Sequence, residues 1–221
     1  MMFDDFAAVL AATEQGQKDI RVLVVGDLML DRHVFGSVSR ISPEAPVPVV
    51  RFTHETKTAG GAGNVAQNLV GLGVDVVLAG YVGDDSGGKA LCGLLEEGGV
   101  EAAVVALTDR PTIEKTRIIG GHQQMLRLDV EVLTAVDADA EAKLTSAVCG
   151  IIDSGVDAIL LSDYAKGTLT ADLCQTIITS ASARSIPVIV DPKGLDYTRY
   201  RGATVLSPNR VELSAAVGLE G

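Results

Sequence analysis

Short, unbroken apolar runs alternate along this chain with longer stretches of helical period. Arg21–Gly26 (RVLVVG), Val74–Val82, Val156–Ser162 and Ile186–Asp191 are rich in Val, Ile and Leu, the pattern of strands buried on both faces. A shorter run, Ala203–Leu206, follows. Between the runs, Ala62–Leu72, Gly87–Glu97, Ala138–Ser154, Leu169–Ser185 and Asn209–Val217 repeat apolar residues at helical spacing, and Asp4–Gln17 does the same at the start. Strand and helix in alternation predict an α/β fold, a parallel sheet with helices on both faces.

Two segments break that rhythm. Residues 32–54 and 101–131 hold short alternating stretches such as Val47–Phe52 and Thr116–Ile119, with little helical period. They predict a small antiparallel β lid over the strand ends, where an enzyme that excludes water places a closing element. Two ordinary surface hairpins are the alternative. The core then comprises about residues 20–31, 55–100 and 132–221. A helix pattern directly after the last short strand predicts a sheet incomplete at its C-terminal edge, which is left uncovered.

Composition narrows the function classes. Hydrophobic residues make up 47% of the 221, with no Trp, so the core is aliphatic. A net charge of −11 argues against nucleic acid or an anionic membrane as partner; a small anionic substrate needs only a local basic cluster. Cys92, Cys149 and Cys174 are scattered, as in a reduced cytoplasmic protein, and argue against a disulfide framework or a zinc site. The first residues lack a basic n-region, and no apolar run reaches membrane-spanning length. His33, His54 and His122 form no metal or triad spacing.

Gly83–Ala90 (GDDSGGKA) nearly matches a phosphate-binding loop. Ala90 replaces the Mg²⁺-binding hydroxyl, and Asp84 and Asp85 stand where phosphates would sit, so a strand-to-helix turn is the better reading. Gly60-Gly61-Ala62-Gly63-Asn64 is a stronger candidate. Glycines ahead of a helix let backbone N–H groups approach a ligand, and Asn64 offers both donor and acceptor. Ser207-Pro208-Asn209-Arg210-Val211-Glu212 holds an N-x-x-E spacing, by itself no more than a capped helix start.

Together, Gly60-Gly61-Ala62-x-Asn64-x-Ala66, Gly73 and Gly83 resemble the first signature of the ribokinase-like (phosphofructokinase-B type) carbohydrate kinases. Val25–Asp31 looks like that family's first strand with its sugar-binding Asp, and Asn209 to Glu212 like its N-x-x-E motif. Ser39–Val50, Pro111-Thr112-Ile113, Leu161–Gly167, Asp191–Gly194 and Arg199–Thr204 are similar to the heptose 7-phosphate kinases, stand-alone or as the kinase half of a bifunctional kinase–nucleotidyltransferase.

The resemblance implies a three-layer α/β/α fold with a β lid. It also implies transfer of a phosphoryl group from ATP to C1 of a heptose 7-phosphate, in the supply of lipopolysaccharide core precursors. Asp31, Gly60, Gly61 and Asn64 would orient the sugar, and the lid cations Lys115, Arg117 or Arg127 would take its phosphate. Asn209, Arg210, Val211, Glu212 and Lys193 would serve the nucleotide, with Glu212 and Asn209 holding Mg²⁺ through water. A lid-mediated homodimer is a further expectation. The family's Gly-Ala-Gly-Asp, which carries the catalytic base, does not occur in these residues and is expected beyond Gly221. No catalytic residue is assigned, and the chain alone is expected not to turn over. Another ribokinase-like sugar kinase and a truncated sugar-phosphate-binding pseudokinase are the competing readings. A dinucleotide oxidoreductase is disfavoured, since no G-x-G-x-x-G follows the first strand.

Overall fold

The computed structural model describes residues 20–218. The expected leading helix, Asp4–Gln17, lies outside them. So does Gly221, the residue beyond which the resemblance puts the catalytic base. Among the described residues ten strands form two sheets. The larger contains β1 (Arg21–Gly26), β4 (Asp75–Gly83), β5 (Glu101–Leu107), β8 (Ala158–Ser162), β9 (Val188–Asp191) and β10 (Val205–Leu206), in the order β10-β9-β8-β1-β4-β5. Every pairing within it is parallel.

The apolar runs are explained by that arrangement. On β1, Leu23 and Val25 face one core while Val22 and Val24 face the other. The helices α3 (Ala138–Ser154) and α4 (Ala171–Ser182) cover the first face with Leu144, Val148, Ile152, Leu173 and Ile177. The helices α1 (Ala62–Gly71) and α2 (Ser86–Glu97) cover the second with Ala62, Ala66, Leu91 and Leu95. Asp137 and Thr170 cap α3 and α4, accepting from the N–H of Ala140 and Leu173 and so satisfying orphan donors of the first turn. The last helix, α5 (Arg210–Ala216), buries no residue, and Val205 and Leu206 on β10 stay about half exposed. Among the described residues no helix is long and apolar enough to cross a membrane.

The second sheet is the lid, and it differs from the expected flap in three ways. It holds β2 (Leu28–Ile41), β3 (Pro48–Gly61), β6 (Glu114–Gly120) and β7 (Gln123–Val130), in the order β3-β2-β6-β7. Its strands begin at Leu28 and return at Gly61, beyond the 32–54 boundary, because Leu28, Met29 and Leu30 continue the apolar run into the second sheet. Its central pair, β2 with β6, is parallel rather than antiparallel. Residues 101–107 do not belong to it: they form β5, the parallel edge of the main sheet.

Candidate functional site

The main sheet reverses its strand order beside β1, since the chain proceeds outward through β4 and β5 and later returns to β8 on the other side. In open α/β sheets the crevice at the carboxyl ends of such neighbouring strands is where ligands bind. Asp27 follows β1 and Asp163 follows β8, so two buried carboxylates stand at this crevice.

On the lid side, Asp31 lies on β2 opposite Thr58 and Lys115, and Arg117 lies opposite the next residue on the same face, His33. Alternation along a strand therefore puts Asp31, His33, Lys115 and Arg117 on one face. The Arg117 guanidinium donates to the Asp31 carboxylate in an ion pair, with the two side chains 28% and 20% exposed. Arg127, opposite Arg117, is held instead by Asp129 at 2.9 Å. Further out on the same face Phe35 stacks on His54 with ring centroids 4.5 Å apart.

Gly60 and Gly61 end β3 against this group. A Cβ at Gly60 would collide with the Asp31 carboxylate, and one at Gly61 would collide with the Asp27 carbonyl oxygen. Gly61 also takes a positive φ of 56° as it leads into α1, a conformation that L side chains adopt at a cost. The glycines thus bring main chain against Asp31, and Asn64 in the first turn of α1 remains exposed.

On the other side of the crevice Asn209 and Glu212 form a reciprocal capping box at the start of α5: the Asn209 side chain accepts from Glu212 N–H, and Glu212 accepts from Asn209 N–H. The other Glu212 oxygen takes the Lys193 ammonium at 2.7 Å. The structure thus brings Lys193, Asn209 and Glu212 together, while Arg210 is exposed and Val211 is 78% exposed with no partner in the core. The Lys193 ammonium, followed by the Asn209 N–H, holds the Glu212 carboxyl below the usual range, and Glu212 in turn raises Lys193.

Three further residues belong to this crevice and were not singled out individually from the sequence. Asp191, at the end of β9, is pushed up by burial and then by the Glu212 charge, with Lys193 opposing. Burial also raises the Tyr164 phenol, followed by Asp191; Lys193 acts the other way, and Asp31 and Asp27 add to the rise. Tyr164 is therefore within electrostatic reach of both the lid carboxylate and the β9 corner. Asp163 is raised by burial, against hydrogen bonds from Tyr200 and Ala165. A carboxylate at the end of a buried parallel strand, or directly after it, was the available signal for Asp191 and Asp163.

Among the described residues no group of three or more His, Cys, Asp or Glu is gathered to enclose a metal. The Asp191–Glu212 pair still suits a hydrated Mg²⁺, which keeps several waters and needs only one or two carboxylates. A cation would also offset the Glu212 repulsion that adds to the effect of burial on Asp191. The phosphate-loop near-match has a different role. Asp85 caps α2 through Gly88 N–H at 2.8 Å and accepts from both Thr112 N–H and Thr112 Oγ. Burial opposes the ionised form, yet these hydrogen bonds leave its carboxyl below the ordinary range.

The sequence model of the "pfkB family carbohydrate kinase" matches residues 19–221. The chain belongs to that family. It is 51% identical over 202 residues to the bifunctional protein HldE of Methylobacillus flagellatus, covering 91% of this chain and 41% of the relative. To the bifunctional protein HldE of Magnetococcus marinus it is 50% identical over 215 residues, covering 96% and 44%. The pfkB chain thus spans less than half the length of these curated relatives. Solved structures agree on the fold. Tetrameric, inhibited phosphofructokinase-2 from Escherichia coli superposes with a TM-score of 0.70 at 21% identity, over 91% of this chain and 65% of that one. Arabidopsis thaliana ribokinase, solved with ribose and ATP, gives 0.64 at 20% identity, over 90% and 63%. The fold is ribokinase-like, with a mostly parallel sheet and a separate small one.

Proposed function

We propose that this chain carries the sugar-binding side and part of the nucleotide side of a sugar-phosphate kinase that transfers a phosphoryl group from ATP to C1 of a heptose 7-phosphate. The carrying observation is the Asp31–Arg117 pair packed against the glycine turn at the lid root. A carboxylate suited to hydroxyls and a guanidinium suited to phosphate share one face there, as a phosphorylated sugar requires. Family membership supports the kinase chemistry, and similarity to the HldE proteins supports the heptose.

Phosphoryl transfer depends on positioning and charge neutralisation more than on covalent chemistry. Asp31, the Gly60 and Gly61 main chain and Asn64 orient the sugar, and Lys115 and Arg117 take its phosphate. Lys193 and the Asn209–Glu212 cap lie on the nucleotide side, with Glu212 and Asn209 placing Mg²⁺ through water; Mg²⁺ supplies charge neutralisation on the phosphates when bound. The residues up to Gly221 hold no Gly-Ala-Gly-Asp, so binding without turnover is the expected behaviour of the chain alone. The outer lid face exposes Phe52, Leu126 and Leu128, which supports the lid as the contact of a homodimer.

Calorimetric titration of heptose 7-phosphate, with sedimentation velocity on the same sample for the dimer and ATP added to read turnover, tests this reading. Arg117→Ala is expected to weaken binding at least about tenfold, the scale of one charge-assisted contact. Unchanged affinity in both Arg117→Ala and Lys115→Ala would remove the phosphate assignment.

A further inference from the structure

The chain passes between the two sheets four times, and one turn, residues 163–168, sits where those passages meet. Its shape is unusual: Ala165 has a φ of 55° and Gly167 one of 100°, both in the left-handed region. What holds it is Asp27, fully buried, the single residue between β1 and β2. One Asp27 oxygen accepts from Tyr164 N–H at 2.8 Å and Lys166 N–H at 3.0 Å; the other accepts from Thr168 N–H at 3.0 Å. A buried carboxylate persists only when its lone pairs are satisfied, and here three backbone donors do that. The main chain of Asp27 is committed as well, donating to Ser162 O at 3.2 Å and accepting from Ala62 N–H at 2.9 Å. Lid entry on β2, lid return at the start of α1, and the turn after β8 are thereby fixed to one residue.

The last lid strand is tied to the same turn by a different bond. Glu131 directly follows β7, and its two oxygens lie 3.0 and 2.8 Å from the Lys166 ammonium. Both side chains are mostly buried, at 17% exposure for Lys166 and 20% for Glu131. The Lys166 ammonium, which follows a strand end at the crevice, is thereby engaged with Glu131. A cavity of about 30 Å³, room for a water or so, lies in the joint between lid and turn, lined by Leu28, Thr112, Val132, Lys166 and Thr168 among others.

We infer that Asp27 and the Lys166–Glu131 pair are positioning residues that seat the lid sheet on the 163–168 turn and so set the angle at which the Asp31 face meets the crevice. Asp27 is the fixed part, a carboxylate locked into backbone. The ion pair is the releasable part, joining the lid through two side chains beside a void. The seating stands on the contacts alone; its effect on sugar-phosphate binding rests on the function proposed above.

Hydrogen exchange of the ligand-free chain reads the seating directly. Lys166→Met and Glu131→Gln are each expected to speed amide exchange at least about tenfold in β6 and β7 while β1 and β4 keep their protection. The charge-swapped double variant Lys166→Glu/Glu131→Lys is expected to restore exchange to within about threefold of the parent. Asp27→Asn should expose either the Tyr164 and Lys166 amides or the Thr168 amide, since the side-chain amide accepts at one end only; if that protein does not fold, the pair variants carry the test. Single variants with parental lid exchange, or a swap that fails to recover it, would overturn the inference. Recovery of both exchange and heptose 7-phosphate affinity in the swap supports it fully. Recovered exchange with lost affinity leaves the seating intact and counts instead against placing the phosphate on Lys115 and Arg117, because it would show that Lys166 itself meets the ligand.

Discussion

Around Asp31 the backbone is braced from several sides, whereas around Glu212 it is held by almost nothing but charge. At the lid root Leu28, Leu30 and Ala59 are buried in one core with Leu91 and Leu95, and Gly60 lets β3 close against the carboxylate. At the other corner β10 is two residues long, α5 buries none of its seven, and the position of Glu212 depends on Lys193 and its own cap. The two halves of the proposed site thus rest on different foundations. Geometry near the sugar rests on packing beneath its ion pairs, which are mostly buried and so are disturbed less by salt than an exposed pair is. Geometry near the nucleotide is set by an ion pair and a capping box, which salt and pH both disturb.

The most forceful way to break this contrast is to truncate a leucine on each side. Leu95 has no exposure and packs under the lid root; Leu213 on α5 is 49% exposed. Leu95→Ala is expected to cost about 2–5 kcal/mol through lost burial and a residual cavity. Leu213→Ala should stay within about 0.5 kcal/mol. Urea unfolding midpoints at constant slope measure both, and comparable losses would show that α5 is packed after all.

What could be read beforehand follows the same division. The strand Arg21–Gly26 and the helix Ala138–Ser154 match their expected bounds, because a strand buried on both faces and a helix with a continuous apolar stripe leave unambiguous periods. The lid boundaries were not legible. Leu28-Met29-Leu30 is as apolar as β1 and differs only in the sheet it joins, with the single residue Asp27 between them. Glu101–Leu107 was misassigned to the lid because an edge strand with only Leu107 buried carries the same mixed pattern as a lid strand. Parallel pairing of β2 with β6 joins segments far apart in the sequence in register, which no local pattern encodes. At the site, Gly60 stood out through spacing and Asp31 through the family resemblance, and the structure sets them side by side. Asp27 did not, because its partners are three backbone amides, and a backbone donor has no signature in side-chain identity.

Gly60→Ala sharpens the contrast at the sugar side with a smaller perturbation. The added methyl meets the Asp31 carboxylate and Met29, so either the carboxylate turns away from Arg117 or β3 shifts. Overpacking of this kind costs about 1–3 kcal/mol, expected here as a matching loss of stability or of heptose 7-phosphate affinity. Gly71→Ala is the control. It ends α1 with open space where its Cβ would stand, and a gain of about 0.4–1 kcal/mol is expected from the reduced freedom of the unfolded chain. A harmless Gly60→Ala would mean that the lid root is softer than its packing implies.

The smallest effect belongs to the charged corner, and pH isolates it. The Glu212 carboxyl is held below its ordinary pKa, chiefly by Lys193. Its contribution is therefore full above the unfolded carboxylate value and lost as pH falls through the depressed folded one. Lys193 is raised by the same bond, so its contribution is full below the unfolded lysine value and fades as pH climbs through the folded one. Between those limits the tether holds. Since surface pairs of this kind contribute at most about 1 kcal/mol, the expected signal is local. Amide chemical shifts of residues 210–216 should move toward frayed values between about pH 7 and pH 3, while those of β1 and β4 do not. Glu212→Gln should fray α5 at neutral pH already and flatten its acid transition. An α5 that keeps its shifts at the acid end would place its support in packing rather than charge, and the two halves of the site would then share one foundation.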